Sequence, residues 1–448
     1  VEALNELGLV AQEWDWFDFA MALLLSIAAT ASLGLYLWRF QSDVLATWRS
    51  EVLLFLLLTL FLFLARALTT TGELLPYLFP AAALAMLLTT TLGLPSAVGV
   101  MIFVGGVCGW LAGRSLGFAI LVAVSGIVGA LTLPRYEQTG TIFRSGLLSG
   151  VFGVLTLFAF YADDVRTDPL PLALKVGVCL VSGMVSGGLT VGGLFLLAPL
   201  FDLTTTFRLT ELSRPNHPLL QRLLREAPAT FNHVMMVTSL AEQAAERIGA
   251  NTLLTRVGAY YHDIGKLARP YFFIENQQGL SNPHDRLDPY TSVDVLKGHI
   301  RDGLKLAHEY RLPERIAAFI PEHHGTTRAS YFYRKAVDAA GGESDLVDES
   351  QFRYPGPAPQ SRETLLVMLA DGSEAATRAR RPSTPEELSA VVNSIFEQRV
   401  ADGQLDNCPL TMRELHIVKE TYIDLLRGAF HPRVQYPEPK ESKDSNHA

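Results

Sequence analysis

Tyr260-Tyr261-His262-Asp263-Ile264-Gly265-Lys266 sets a histidine beside an aspartate behind an apolar run, and the reading of this stretch decides the second half of the chain. Adjacent helical residues point about 100° apart, so His262 and Asp263 cannot line one stripe. Both can nevertheless reach a metal lodged where several helices converge. A carboxylate has two oxygens, which makes Asp263 the natural bridge between two ions held roughly 3.5–4 Å apart.

A lone His-Asp pair is weak evidence; this one has company. His233 lies upstream in Ala-Thr-Phe-Asn-His-Val, and His299, the pair His323-His324, and Asp371 in Met-Leu-Ala-Asp-Gly lie downstream. The order H, HD, H, HH, D supplies five imidazoles and two carboxylates, about what two divalent ions need once water completes their shells.

The first half is different in kind. Hydrophobic residues make up 49% of the 448, yet only eight of the 37 lysines and arginines fall in the first 200 positions. Apolar segments follow one another at about Phe17–Leu37, Val52–Leu68, Leu75–Leu92, Ala97–Leu111, Gly117–Leu133, Phe143–Tyr161 and Leu172–Leu200. Most approach the ~20 residues a bilayer requires, and seven spans are expected. Glycines recur every four residues at Gly105, Gly109 and Gly113, at Gly146 and Gly150, and at Gly183 and Gly187. This spacing would let helix backbones approach closely, although glycine is also common in membrane helices generally. Almost every ionisable residue here marks a segment end, which favours an anchor or sensor over a transporter. Arg39 and Arg49 flank the first connection and Arg135 and Arg144 the fifth, whereas Asp163, Asp164 and Asp168 accompany Arg166 in the sixth. Basic connections prefer the cytoplasm. The N-terminus is therefore expected outside and everything beyond Phe201 inside.

A net charge of −8 without a long basic stripe argues against binding a nucleic-acid polymer. The three cysteines, Cys108, Cys179 and Cys408, suggest neither a disulfide framework nor a zinc knuckle. Residues 1–16 are acidic and carry no cleavable signal pattern; with Val at position 1, an upstream part is expected.

The chain divides into an N-terminal remnant (1–16), a transmembrane domain (17–201), a coupling segment (202–230), a helical domain (231–437) and a charged tail (438–448) expected to be disordered. The coupling segment has Leu219, Leu220, Leu223 and Leu224 at helical spacing after Pro218, which equally suits the first packing helix of the next domain. Helices are expected over Phe231–Ile248 with His233, Thr252–Leu267 with the His-Asp pair and Asp288–Tyr310 with His299. Another opens at Pro313, brings His323 and His324 to its end and stops at Gly325. After an irregular Gly341–Ser361 stretch, a further helix carries Asp371. The fold class is all-α throughout.

The H, HD, H, HH, D series resembles the HD superfamily of metal-dependent phosphohydrolases. The whole chain is similar to its seven-transmembrane branch, the PgpH-like phosphodiesterases of bacterial cyclic di-AMP. Matching stretches are Glu226-Ala227-Pro228, His262 to Lys266, Asn282-Pro283-His284-Asp285, Glu322 to Thr326, Phe352 to Pro357 with Gln360-Ser361, and Gln404-Leu405-Asp406 with Cys408-Pro409-Leu410-Thr411. Ala229 and Asn232 depart from the expected Gly and second His, and neither removes a ligand. The family normally carries an extracellular domain before its spans.

The resemblance implies that His233, His262, Asp263 and Asp371 bind one metal, and that Asp263, His299, His323 and His324 bind the other. Imidazole-rich mixed shells suit manganese or iron. A water bridging two cations is deprotonated near neutral pH and attacks phosphorus in line, so no protein nucleophile is needed. The implied product is linear pApA. Lys266 could hold a substrate phosphate, or be an ordinary cation near a helix C-terminus. His284 could touch substrate or structure its loop, and Asp302 could orient His299. Two other readings are an HD hydrolase of another nucleotide such as cyclic di-GMP, and a membrane receptor whose helical domain is not catalytic. Against the first stands Gly325-Thr326-Thr327-Arg328 after His324, where the cyclic di-GMP branch carries Gly-Tyr-Pro. What the spans sense stays open, as does dimerisation, a homodimer being one compatible arrangement.

Overall fold

A computed structural model describes residues 16–42, 47–133, 139–161, 169–277 and 281–429. The expectations for residues 1–15, for Arg135 and the acidic sixth connection, and for the charged tail lie outside the described residues. The described chain is helical, with no β-strand among the described residues, and it divides into two compact units, 1–207 and 208–448.

Among the described residues, the first unit contains seven apolar helices: α1 (Trp16–Phe40), α2 (Trp48–Thr70), α3 (Ala81–Leu92), α4 (Leu94–Leu111), α5 (Leu116–Thr132), α6 (Thr139–Tyr161) and α7 (Pro169–Phe201). Six apolar segments are long enough to cross a membrane, and α5, at 17 residues, is the shorter seventh. The third segment is not one α-helix. Leu75–Leu78 form a 3-10 turn and α3 starts only after Pro80, because a proline supplies no N–H to the preceding turn. Ala81 to Leu88 are all buried, so α3 is the central helix of this unit. Phe63 and Phe195, 75% and 81% exposed, point away from the bundle, an arrangement suited to lipid rather than water.

Most of the four-residue glycine rows are contact surfaces. A Cβ built on Gly183 would press on the Gly146 carbonyl and lie 3.1 Å from the Gly150 Cα, so α6 and α7 meet backbone to backbone. Gly113 is different: at φ 75° it ends α4 in a left-handed turn, with no atom within 4 Å of such a Cβ.

In the second unit, α8 (Thr206–Leu212) is followed by α9 (Pro218–Glu226), whose Leu219, Leu220 and Leu223 lie in the core while Leu224 stays exposed. The structure thus groups residues 208–230 with the unit that follows, as its first packing helix. Next come α10 (Pro228–Ile248), α11 (Thr252–Tyr261), α12 (Pro289–Glu309), the single turns α13 (Glu314–Ala317) and α14 (Phe319–Glu322), and α15 (Ser330–Ala339). The last three are α16 (Arg362–Arg380), α17 (Pro385–Ala401) and α18 (Met412–Ala429). Gly249, at φ 67°, closes α10, and Ser361 caps α16 by accepting from the Thr364 amide. Residues 364–374 of α16 are all buried, and the Tyr422 hydroxyl of α18 donates to the Leu366 carbonyl at 2.7 Å. Around this central helix the functional side chains gather.

Two local expectations are corrected. The helix expected over Thr252–Leu267 ends at Tyr261, and a 3-10 turn, Ile264–Ala268, follows. The reason lies at Gly265: a Cβ there would fall on the His299 carbonyl, so this turn packs directly on the α12 backbone. The helix expected from Pro313 is two single turns, parted at Ala318.

Candidate metal centre

The break after Tyr261 aims both members of the pair inward. His262 is the C-cap residue of α11, and Asp263 follows at φ −110°, ψ 13°, outside the helical basin. Asp263 is 1% exposed. Its Oδ2 lies 3.4 Å from His262 Nε2 and 3.6 Å from His233 Nε2, while its Oδ1 lies 3.8 Å from both His299 Nε2 and His323 Nε2. One carboxylate therefore faces two separate imidazole groups, one with each oxygen.

The remaining expected ligands lie on either side. Asp371, from the middle of α16, places Oδ1 3.0 Å from His233 Nε2 and Oδ2 3.9 Å from His324 Nδ1. Three sets of donor atoms lie within 4.8 Å of one another: His233, His262 and Asp371; His299, His323 and His324; and His262, Asp263 and His323. Two atoms each ~2.1 Å from a common ion stand roughly 3.0–3.4 Å apart, so small adjustments would bring these sets to coordination distance.

Second contacts orient the rings. His262 Nδ1 donates to the Ala259 carbonyl at 2.7 Å, His299 Nδ1 to Leu296 at 2.6 Å, and His323 Nδ1 to Phe319 at 3.1 Å. A carbonyl can only accept, so each Nδ1 carries the hydrogen and each Nε2 presents a lone pair. His233 Nδ1 instead meets a carboxylate, Glu374 Oε2, at 2.5 Å. The donor set fits divalent ions on one observation of this structure. Among the described residues, the Nε2 atoms of His262, His299 and His323 and Oδ1 of Asp263 are buried without a hydrogen-bond partner. Leaving four such groups unsatisfied would be costly unless something else engages them.

The charges agree. Burial pushes the pKa of His299 and His324 down and that of His323 down to about 3, which keeps these rings neutral and able to ligate. His233 runs the other way. Burial alone would lower it, but its contacts with Asp371 and Glu374 outweigh that and push it up to about 9. Burial opposes ionisation of Asp263 as well, yet Lys266 and His262 hold its carboxyl well below the usual carboxylate range. Asp371 is held down likewise against burial, chiefly by His233.

Lys266 sits inside this field. Its Nζ is 2.7 Å from Asp263 Oδ2 and donates to Glu275 Oε1 at 2.9 Å, and these charges keep it protonated despite burial. Tyr354 stacks on His324 with ring centroids 4.1 Å apart.

All seven expected ligands therefore converge, with Lys266 beside them. His284 has other contacts: its Nε2 donates to the Phe272 carbonyl at 3.0 Å and its ring packs on Phe272 and Phe332, which ties down the 3-10 turn Pro283–Arg286. Asp302 does not orient His299. It pairs with Arg269 at 2.7 Å, and the Leu296 carbonyl already takes the imidazole Nδ1. Sequence reasoning missed Glu374 and Glu275. Glu374 stands three residues after Asp371, the spacing that puts two side chains on one helix face, so the signal was available. Glu275 reaches Lys266 from the short 3-10 turn Ile274–Asn276, where no periodicity marks it.

Comparison with known proteins is consistent with this geometry. The family described as "7TM receptor with intracellular HD hydrolase" matches residues 16–205, and the HD domain family matches residues 230–376. The cyclic-di-AMP phosphodiesterase PgpH of Bacillus subtilis is 37% identical over 372 residues, 81% of this chain and 51% of that protein. Its Listeria monocytogenes namesake is 36% identical over 368 residues, again 51% of its own length. The chain spans about half the length of the curated relatives it matches. A crystal structure of the L. monocytogenes PgpH HD domain in complex with cyclic-di-AMP is 42% identical, with a TM-score of 0.46 over 48% of this chain and 99% of that one.

Proposed function

Because the chain belongs to the family of seven-transmembrane proteins with an HD hydrolase domain, we propose that it is a multi-pass membrane phosphodiesterase that opens cyclic di-AMP to linear pApA. One observation carries this reading: Asp263, buried and ionised, turns one oxygen toward each of two imidazole groups. Such a carboxylate is built to bridge two cations.

His233, His262, Asp263 and Asp371 would hold one ion, and Asp263, His299, His323 and His324 the other. The nitrogen-rich, oxygen-containing shell suits manganese or iron. When bound, the ions supply Lewis acidity, polarising a phosphoryl oxygen and acidifying the attacking water. Every other contribution comes from the chain. The three backbone-anchored imidazoles and the Glu374-anchored one need no reorientation as substrate arrives. Lys266 keeps Asp263 anionic, and of its three donors Asp263 and Glu275 engage two, which leaves the third for a phosphoryl oxygen. Asp371, 13% exposed, and His324, 19% exposed, are the ligands nearest solvent, so substrate enters over them.

The basic residues Arg39 and Arg49 around the first connection favour a cytoplasmic second unit in a bacterial cell membrane. The relatives' names point to cyclic di-AMP as the substrate. The test is to purify the chain in detergent, load it with Mn²⁺, and incubate it with cyclic di-AMP, cyclic di-GMP, cyclic AMP and bis(p-nitrophenyl) phosphate. Cyclic di-AMP should disappear fastest, with pApA as product. A metal-loaded chain that left every cyclic dinucleotide intact would overturn the proposal.

A further inference from the structure

One cation beside the metal centre has no part in the chemistry above. Arg399 lies in the last turn of α17, and its Nη2 stands by Gly372, the residue after Asp371, 3.4 Å from where a Cβ would be. Its Nε is buried with no hydrogen-bond partner, and no carboxylate lies within 4 Å of its guanidinium among the described residues. The acids that face it are committed elsewhere: Asp402 pairs with Arg353 at 3.1 Å, and Asp371 turns to His233. Arg269, Arg353 and Arg362, by contrast, each close on a carboxylate. A half-buried guanidinium without a counter-ion is costly to keep, and burial accordingly lowers its pKa.

The backbone nevertheless fixes where this cation sits. The Arg399 carbonyl accepts from the Gln404 amide at 3.0 Å. Gln404, fully buried, accepts from the Thr326 amide at 3.0 Å and donates to the Thr326 hydroxyl at 2.8 Å. Thr326 follows His323-His324-Gly325 directly, so the Gln404 side chain holds Arg399 in register with the paired histidines. This gives a task to the Gln404-Leu405-Asp406 stretch that the ligand set leaves without one.

We propose that Arg399 binds the second phosphate of a cyclic dinucleotide, the one not at the metal centre. The inference rests on the phosphodiesterase reading above. A cyclic dinucleotide carries two phosphodiesters, only one of which can meet the ligand cluster at a time. The other brings a second negative charge into the site, where the free donor of Lys266 already serves the phosphate at the ligand cluster. A planar guanidinium matches two phosphate oxygens at once. Arg399 therefore sets affinity for dinucleotides rather than the rate of bond cleavage.

Two substrates separate these roles: cyclic di-AMP, with two phosphates, and bis(p-nitrophenyl) phosphate, with one. In the Mn²⁺-loaded full chain, Arg399→Gln should raise KM for cyclic di-AMP by about 10-fold or more, the worth of a charge-assisted hydrogen bond, with kcat little changed. Hydrolysis of the single phosphodiester should be unaffected, Arg399→Lys should recover part of the affinity, and the substrate-free melting temperature should not fall. An unchanged KM for cyclic di-AMP, equal losses on both substrates, or a lowered melting temperature for both variants would overturn the inference and leave the hydrolase standing. A wild-type chain that cleaved neither substrate would remove the phosphodiesterase reading, and this inference with it.

Discussion

Replacing Glu374 by alanine should empty one side of the metal centre and spare the other. His233 Nδ1 meets Glu374 Oε2 at 2.5 Å, and Glu374 is 4% exposed, so the substitution leaves a buried imidazole nitrogen without its carboxylate. An unpaired buried donor costs about 1–3 kcal/mol, part of which the ring could avoid by turning away from its ligating pose. Loss of such an outer partner typically weakens metal affinity ~10–100-fold, equivalent to about 1.4–2.7 kcal/mol. The effect should be one-sided, because His299 and His323 are anchored on backbone carbonyls rather than on Glu374. The assay is metal content per chain after equilibration with chelators of graded strength, by elemental analysis on detergent-purified protein. Wild type should release its ions over a narrow range of chelator strength; Glu374→Ala should release one at a setting ~10–100-fold weaker and keep the other. Loss of both ions together, or of neither, would refute the assignment of His233 to one ion and of the carboxylate to its support.

Three more expectations follow from the same geometry. Gly265→Ala drives a Cβ into the His299 carbonyl, so the turn and α12 must part; stability should fall by ~1–3 kcal/mol or more, and metal content with it, read by thermal melting and elemental analysis. Gly183→Leu forces α6 and α7 apart where they meet backbone to backbone, and should lower the detergent-melting temperature without altering metal binding by the second unit. The third concerns pH in the metal-stripped chain. His299, His323 and His324 are lowered in the fold, His323 to about 3 against an ordinary 6.5. An unfolded chain takes up protons as pH drops through 6.5 while the folded site does not, so stability present at pH 7 is lost progressively toward pH 3. His233, raised to about 9, has the opposite sign: its contribution is complete below 6.5 and disappears as pH rises through 9. Protection factors of the Tyr260–Lys266 amides, the exchange rates referred to the intrinsic rate at each pH, should accordingly peak near neutral pH, and protection that kept rising down to pH 4 would contradict these shifts.

How much of this was legible beforehand depends on the range of the interaction. Residue type and local spacing were enough to mark the apolar segments, to place His233, His299 and Asp371 on helices, and to collect the seven donors, because coordination chemistry restricts which side chains can serve. They also suggested the close contact of α6 and α7, since glycine every fourth residue puts a bare strip of backbone on one helix face. Periodicity says nothing, however, about what lies across from a residue. The helix end at Tyr261 is decided by the α12 backbone arriving at Gly265, and the turn of each imidazole by which carbonyl or carboxylate stands at its Nδ1. Asp302, placed one turn from His299, was captured by Arg269 instead. Glu374 supports a histidine 141 residues away, and Arg399 has no counter-ion among the described residues while Arg353 and His233 occupy the acids near it. Sequence alone determined which atoms were available to hold ions. The tertiary structure decided which way they point and which charges remain for a substrate, because both depend on contacts between residues far apart in the chain.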